Sequence, residues 1–535
     1  MSKPVGALTT TILLVVLIIL SIISIALIST LPRTVPTVTV PITVPSVSVL
    51  TVTQAQVRTE VKTVTVGPGA GATVTTTVPT TVTVTGTLAA APTYPSLEEW
   101  VKNIVAKYNL KGITIKMVTE STPTSLFIRD VLAPEFSKVS GINAIVETVS
   151  WDEMYRKTVA TLQAKTTDYD VFYIEQDIVG QFGVLGWLED LMPYLSDKEL
   201  TWPGYDPADL YTLNQYYFRG KLLAIPFEAF LKIYVYRKDL FEKYGIKLPE
   251  VLTWDFVKNV AEFFGAGTKE PGVYGWVAQA ASHPCLWFEM VESIWPTFGV
   301  HYWGISNDLS HVYFNNTCGK KAFRLYIELL KYAPPGVTSY TWDEVGATFT
   351  RGGAVQGLMY AEFFGTIFKQ NPAMIGKYGV AYPPIDPACY KGGYIGYFDG
   401  GGMGINPYIP RERKIAAWLF IQWVTSKDSV RKMAEGVTTT IVRWSVIQEL
   451  GPKLDEKYGY GYWALMMKAI RENVFRGAPP TPTYDIATTT ELFTTLHKAV
   501  TGEMSPDEAL DKAAQIVLSV LAKWRDVYGI LPPYS

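Results

Sequence analysis

The first 95 residues constrain this chain more than any other segment does. Residues 7–31 form an uncharged run dominated by Ile, Leu and Val between Lys3 and Arg33. A helix of roughly 20 apolar residues crosses a membrane core, whereas a secretory leader has an apolar region of about 7 to 15 residues and a small-residue cleavage site. The sequence therefore predicts an uncleaved membrane anchor at residues 1–33, with a cleaved leader as the alternative.

A tract rich in Thr, Val and Pro follows at residues 34–95, and its only charged residues are Arg58, Glu60 and Lys62. Repeated Pro excludes helix and central strand, so the tract predicts an extended stalk open to glycosylation. A β-rich segment is the alternative, because alternating Thr and Val favour strands. The sequon that begins at Asn315 also fits a location outside the cell.

The composition of the whole chain excludes several classes of protein. The 47 basic and 49 acidic residues nearly balance, so there is no electrostatic footprint for nucleic acid. The four histidines and three cysteines lack the close ligand pairs of zinc sites, and we expect no metal and no cofactor. One disulfide is compatible with Cys285, Cys318 and Cys389, but the sequence does not say which pair forms it.

The folded body begins at the capping box that starts with Ser96. Apolar strand patterns at residues 113–118, 143–149 and 170–174 alternate with helical patterns at 126–136 and 151–165, which predicts a parallel, doubly wound sheet. Ligands in such sheets bind beyond the carboxyl ends of the strands. Glu120 and the neighbouring Glu175, Gln176 and Asp177 are therefore expected at one edge.

A second body begins where residues 220–236 form two apolar strands interrupted at 226–228, as expected of a chain crossing between lobes. A strand at 354–360 leads into Ala361 and Glu362, and the chain returns through Gly-rich residues 400–402. The many Trp residues of this body, including Trp287 and Trp295, are expected to be mainly core, with one or two at most facing a ligand.

Five segments occur in the order typical of one family. They are residues 169–191, 221–243, 253–255, 334–344 and 502–510. Residues 111–523 thereby resemble the extracellular solute-binding proteins of ABC importers, in the sugar-binding branch of maltose-binding type. The resemblance implies a type II periplasmic-binding-protein-like α/β fold of two doubly wound lobes that close on a ligand. The implied boundaries are 96–228 with 403–443 for lobe one and 231–396 with 445–535 for lobe two.

The resemblance also implies site residues. Asp177 and Glu228 stand at two carboxylate positions of the family, and Glu120 stands at its polar turn after the first strand. The full set of expected ligand-binding residues is Glu120, Gln176, Asp177, Glu228, Trp287, Trp295, Tyr360, Glu362, Asp399 and Tyr484. The chain departs from the family at Ile174 and at Met403, where relatives carry Trp, so the identity of the sugar is not inherited.

These observations predict a membrane-tethered protein at the cell surface that captures a carbohydrate-like solute and delivers it to the transmembrane subunits of an ABC permease. No catalytic residue is expected. One alternative is a surface glycoside hydrolase that uses Asp177, Glu228 or Glu362 as paired carboxylates. The stalk by itself would also suit an adhesion protein, and two closing lobes would also suit a peptide or another polar solute.

Overall fold

Two β-sheets surrounded by helices organise the part of the chain that carries the predicted site. The computed structural model describes residues 61–63, 75–77, 94–437, 440–479 and 481–529. The predicted anchor at residues 1–33 lies outside this part. In the part that is described, no helix is both long enough and apolar enough to cross a membrane.

Sixteen strands are present among the described residues, numbered here in chain order. They are β1 Val61–Thr63, β2 Thr75–Thr77, β3 Thr114–Glu120, β4 Asn143–Val149, β5 Val171–Glu175, β6 Tyr217–Phe218, β7 Lys221–Leu222, β8 Ile225–Pro226, β9 Phe230–Arg237, β10 Ala266–Glu270, β11 Val273–Tyr274, β12 Gln356–Tyr360, β13 Tyr378–Ala381, β14 Gly396–Asp399, β15 Gly401–Ile405 and β16 Phe475–Arg476.

The helices alternate with these strands. The α-helices are Leu97–Lys107, Pro123–Phe127, Ala133–Ser140, Trp151–Ala164, Val179–Leu185, Met192–Ser196, Lys238–Lys243, Trp254–Phe264, Pro284–Glu289, Thr317–Leu329, Trp342–Thr350, Phe363–Gln370, Arg411–Val424, Lys427–Val437, Trp444–Tyr458, Tyr462–Glu472, Thr483–Ala487, Thr490–Val500 and Pro506–Tyr528. Two π-helical turns, Ile128–Leu132 and Met290–Ile294, continue the helices before them.

Within the predicted stalk, β1 and β2 pair antiparallel, with Val61 opposite Thr77. The sequence favoured an unpaired extended chain here, and these six residues instead form a short β-ladder. The physical reason is that β-branched Thr and Val fit a pleated strand.

The first lobe is built on a sheet with the strand order β4-β3-β5-β15-β8. β3 pairs parallel with β4 and β5, so their carboxyl ends lie at one edge. β15 runs antiparallel to β5, with Gly401 opposite Glu175. The sheet is therefore mixed rather than wholly parallel as predicted, because β15 enters directly from the other lobe instead of through a crossover helix.

The second lobe is built on a sheet with the order β12-β9-β14-β16, and β13 also pairs with β9. β12 and β14 are antiparallel to β9, with Phe398 opposite Leu231. The chain passes between the two sheets once from β8 to β9 and once from β14 to β15. Both crossings lie side by side, since the amide of Glu228 donates to the carbonyl of Gly401 at 3.2 Å.

The helix after β3 begins earlier than predicted. Thr122 accepts a hydrogen bond from the Ser125 amide at 3.0 Å, and Pro123 occupies the first turn, where its missing amide hydrogen is not needed. Away from the sheets, Cys318 and Cys389 form the disulfide, and Cys285 is a buried free thiol. The bond ties the helix Thr317–Leu329 to the loop between β13 and β14.

Candidate ligand-binding site

A cavity lies where the strand ends of the two sheets face each other. The space between its lining atoms amounts to about 430 Å³ when the adjoining open solvent is counted, and the closed part has a cavity volume of about 30 Å³. Its lining consists of six carboxylic acids and seven aromatic residues, namely Glu120, Glu175, Asp177, Glu292, Glu362 and Asp399 together with Trp151, Tyr173, Phe230, Phe288, Trp342, Tyr360 and Tyr397. Such a wall combines hydrogen-bond acceptors with apolar faces.

The parallel strands of the first lobe place three of these acids. Glu120 is the last residue of β3, Glu175 is the last residue of β5, and Asp177 is the second residue after β5. Glu175 accepts hydrogen bonds from the indole Nε1 of Trp151 at 3.2 Å and from the Tyr484 hydroxyl. Burial raises the pKa of Glu175 to about 7, although these two donors act in the opposite direction.

Asp177 is the most unusual of the lining acids. Its side chain is 3% exposed, and its Oδ1 atom has no hydrogen-bond partner among the described residues. Burial first, and then the charges of Glu175, Asp399 and Glu292, raise the pKa of Asp177 well above its usual value. A buried acceptor without a partner carries a desolvation penalty that a donating ligand removes.

Glu228 lies behind the cavity, at the first crossing between the lobes. It is fully buried and accepts hydrogen bonds from the hydroxyls of Tyr173 at 2.7 Å and Thr122 at 3.0 Å. Burial raises the pKa of Glu228 to about 7 despite these donors. Glu228 therefore positions Tyr173, which lines the cavity, and joins the first crossing to the first lobe.

The second crossing requires glycines because it lies very close to Glu228 and Tyr173. A Cβ atom on Gly400 would lie 2.3 Å from the carbonyl oxygen of Glu228, and one on Gly401 would lie 2.3 Å from the Tyr173 ring. No side chain fits at either position without moving the backbone. The Gly-rich sequence at 400–402 thus packs one crossing against the other.

The second lobe contributes a buried ionic network. Lys232 on β9 lies 2.8 Å from a carboxylate oxygen of Glu289 and 3.0 Å from one of Glu292. The Tyr360 hydroxyl donates to Glu292 at 2.5 Å. The two glutamates lie on either side of the junction between the helix Pro284–Glu289 and its π-helical turn, where the local change of helical twist lets both reach one lysine. Only Glu292 of this pair lines the cavity.

Aromatic residues join the two lobes across the cavity. Trp151 and Trp342 are the first residues of two helices, capped by Ser150 and Thr341 respectively. Their rings lie 5.5 Å apart at an interplanar angle of 70°. The Tyr484 ring lies 5.3 Å from Trp151 and belongs to a short helix that packs against Pro284–Glu289.

The structure brings together most of the residues that the sequence selected. Glu120, Asp177, Tyr360, Glu362 and Asp399 line the cavity. Gln176, Glu228 and Tyr484 lie behind the lining, and each holds a neighbour. The Gln176 amide donates to the Phe398 carbonyl, and the Tyr484 hydroxyl donates to Glu175.

Trp287 and Trp295 are not among the lining residues. Both are fully buried, their rings are 5.5 Å apart, and Phe314 stacks on Trp295 at 4.6 Å. The Trp295 indole donates to the Gly319 carbonyl at 3.3 Å. Large apolar area places these two rings in the core of the second lobe, which does not agree with the prediction that Trp287 and Trp295 bind the ligand.

Sequence reasoning placed Glu175 at the ligand-binding edge without naming it as a ligand-binding residue, and it missed seven other lining residues: Trp151, Tyr173, Phe230, Phe288, Glu292, Trp342 and Tyr397. A usable signal existed for two of them. Trp151 and Trp342 both occur in the pattern Ser or Thr, Trp, Asp, Glu, which recurs at residues 150–153 and 341–344. A large aromatic at the first position of a capped helix that follows a loop is a candidate for a ligand-facing residue.

The acids of the cavity do not form a metal centre. Over residues 94–437, 440–479 and 481–529, no three His, Cys, Asp or Glu side chains are grouped so that they would hold a metal ion. The lining residues offer hydrogen-bond acceptance, electrostatic attraction and contact with aromatic faces.

Known proteins share this architecture. An ABC transporter solute-binding protein from Agrobacterium radiobacter, solved with ribitol, superposes with a TM-score of 0.67 at 24% identity over 77% of this chain and 99% of that one. A solute-binding protein from Agrobacterium vitis, solved with D-mannitol, gives a TM-score of 0.64 at 24% identity over 77% and 99%. Both likenesses confirm the predicted fold of two α/β lobes.

The sequence also matches known proteins directly. An erythritol/L-threitol-binding protein from Mycolicibacterium smegmatis is 28% identical over 369 residues, which are 65% of this chain and 74% of that protein. Residues 131–456 match the family described as bacterial extracellular solute-binding protein, which is more than half of the chain. The chain therefore belongs to the extracellular solute-binding proteins, as its ordered sequence motifs predicted.

Proposed function

We propose that this protein captures a small sugar-like or polyol solute between its two lobes at the outer face of the membrane and delivers it to an ABC permease. The observation that carries the proposal is the cavity wall, which consists of six carboxylic acids and seven aromatic residues. A carboxylate accepts hydrogen bonds from two hydroxyl groups, and an aromatic face covers the apolar face of a sugar ring or carbon chain.

The placement of the wall supports capture rather than surface adhesion. The lining residues come from both sheets, with Glu120 and Glu175 from the first and Phe230, Tyr360 and Asp399 from the second. A hinge motion at the two crossings would open and close this space. The relatives that bind erythritol, ribitol or mannitol support a solute of the same size class.

Within this proposal the site residues have two roles. Glu120, Asp177, Tyr360, Glu362 and Asp399 contact the solute. Glu228 and Tyr484 hold the lining residues Tyr173 and Glu175 in place, and Gln176 holds the backbone of Phe398, which precedes the lining residue Asp399. The lobes extend over residues 96–228 with 403–443 and residues 231–396 with 445–535.

The N-terminal segment supports a tethered receptor. Residues 1–33 would anchor the chain, and residues 34–95 would hold the lobes away from the bilayer. Because β1 pairs antiparallel with β2, residues 61–77 add little length, so about 45 residues of the stalk remain to extend, and at about 3.1 Å per residue they span up to roughly 140 Å, or roughly 40 Å as a flexible chain. A tether of this reach raises the concentration of the receptor at its permease.

Titration calorimetry of the full-length chain in detergent tests the proposal with erythritol, ribitol, mannitol and maltose. We expect one of these to bind. Glu362→Gln should weaken binding of that ligand by about 1–3 kcal/mol. Glu199→Gln, at an exposed position, should leave the affinity for the ligand unchanged. Failure of carbohydrates of every size to bind would refute capture of a sugar, and turnover of a chromogenic glycoside would favour a hydrolase.

Membrane fractionation tests the tether. The intact chain should sediment with membranes and should be released by protease cleavage within residues 34–95. Mass spectrometry that finds a mature N-terminus after residue 31 in the soluble fraction would refute the anchor and support a cleaved leader.

A further inference from the structure

The cavity wall is rich in acids and lacks a base among the described residues that line it. Six of its lining residues are carboxylic acids, and none of the described residues that line it is Lys, Arg or His. Lys232 is the nearest compensation, but it lies behind the wall between Glu289 and Glu292. Burial first, and then repulsion between the ionised acids, raises the pKa values of Glu120, Asp177, Glu362 and Asp399, so the empty wall holds protons and a cation would favour its ionised form.

A second observation points to a ligand. The Oδ1 atom of Asp177 has no partner among the described residues although the side chain is 3% exposed and lines the cavity. A neutral hydroxyl satisfies this acceptor but leaves the excess charge in place. An ammonium group satisfies the acceptor and offsets the charge together, through the stronger, charge-assisted hydrogen bond.

The aromatic part of the wall also suits a cation. The seven lining rings come from both lobes. Trp151 and Tyr173 belong to the first lobe, and the second lobe contributes Phe230, Phe288, Trp342, Tyr360 and Tyr397. Aromatic faces attract ammonium groups within about 6 Å of the ring centre. The protein already contains one such pair at the wall, because Lys232 Nζ lies 4.5 Å from the ring centre of Tyr360.

We propose that the preferred solute of this cavity is a small polyhydroxylated organic cation, such as an amino sugar or an amino polyol, whose ammonium group lies beside Asp177. Neutral sugars and polyols of the same skeleton are weaker ligands. The inference rests on the proposed capture of a sugar-like solute and specifies the charge of that solute.

Matched ligand pairs test it without any substitution. Calorimetry of the full-length chain compares D-glucosamine with D-glucose and 1-amino-1-deoxy-D-sorbitol with D-sorbitol, near neutral pH. We expect the amine of at least one pair to bind roughly tenfold or more tightly than its neutral partner, the difference between a charge-assisted and a neutral contact. Asp177→Asn should remove most of that difference, while Asp526→Asn, at an exposed position, should leave it intact.

The pH dependence of binding provides an independent readout. Asp177 faces Glu175 at the end of β5, Asp399 at the second crossing and Glu292 of the second lobe, with Lys232 behind Glu292. Burial raises the pKa of Asp177, and that of Glu175 to about 7. A cation favours the ionised acids, so its affinity should rise from about pH 5 to about pH 8. A neutral solute should bind more weakly as the acids ionise.

The outcomes separate the two proposals. An amine that binds more tightly than its neutral partner, with affinity rising with pH, supports the inference. A neutral partner that binds as tightly as the amine or more tightly overturns the inference and leaves the capture of a sugar-like solute standing. If neither member of any pair binds, and no neutral carbohydrate does, the proposed function fails together with the inference.

Discussion

Replacement of Lys232 by Met tests the electrostatic structure of the second lobe directly. Lys232 is fully buried and is 2.8 Å from Glu289 and 3.0 Å from Glu292, which are also buried. Removing one member of a buried ionic group leaves uncompensated charge at a cost of about 3–5 kcal/mol. Lys232 neutralises two buried acids, so we expect its removal to lower the free energy of unfolding by about 5 kcal/mol, the upper end of that range, near pH 8.

The pH dependence of this loss has a definite sign. Burial raises the pKa values of Glu289 and Glu292, and Lys232 counteracts this effect. Without the lysine their pKa values in the folded state rise further above those of the unfolded chain. The penalty is complete above the folded-state pKa, decreases as the pH falls below it, and disappears only below the pKa of the unfolded chain. Lys232→Met should therefore be less destabilising near pH 5 than near pH 8.

Urea unfolding at both pH values measures the effect. The control is Lys107→Met, because Lys107 is also 2.8 Å from a carboxylate, that of Glu199, but both side chains are more than half exposed. Exposed pairs contribute only about 0–1 kcal/mol. A Lys232→Met loss equal to that of the control, or one independent of pH, would refute the assignment of a buried ionic network.

Three further changes probe other parts of the fold. Replacement of both Cys318 and Cys389 by Ser should lower the free energy of unfolding by about 4 kcal/mol, from the 71-residue separation that the disulfide closes, with urea unfolding as the measurement. Gly400→Ala should lower the free energy of unfolding by about 1–3 kcal/mol, because the new methyl group would lie 2.3 Å from the Glu228 carbonyl oxygen. Thermal unfolding measures this loss, and a smaller loss would show that the two crossings are not closely packed. Trp342→Ala should weaken binding of the solute by about 1 kcal/mol, because it removes an aromatic ring from the cavity wall. Calorimetry measures this affinity, and an unchanged value would show that Trp342 does not contact the solute.

The acids at the strand ends were predictable because their position follows from local pattern and sheet geometry together. Glu120 and Asp177 follow apolar strands, and parallel strands align their carboxyl ends at one edge. The antiparallel direction of β15 was not predictable in this way. It depends on a crossing from the other lobe, and a run of Gly and Met carries no signal for strand direction.

Contacts between the lobes were the least predictable part of the site. Ser150 and Thr341 cap the helices that begin at Trp151 and Trp342. The start of a helix explains the sequence at both positions, so neither segment required its Trp to contact a ligand. Their 5.5 Å approach depends on how two lobes meet. Trp287 and Trp295 carry the same apolar area but point into one lobe, and the sequence alone did not distinguish the two pairs.

Contact between the lobes and the charge of the cavity act against each other. Glu175 in the first lobe accepts a hydrogen bond from Tyr484 and experiences the charge of Glu292 in the second lobe. With its pKa raised to about 7, keeping Glu175 ionised in this arrangement costs at most roughly 3 kcal/mol. Protons relieve that cost at low pH. If the solute is the proposed cation, its charge would relieve the same cost at neutral pH and so favour the closed arrangement of the lobes.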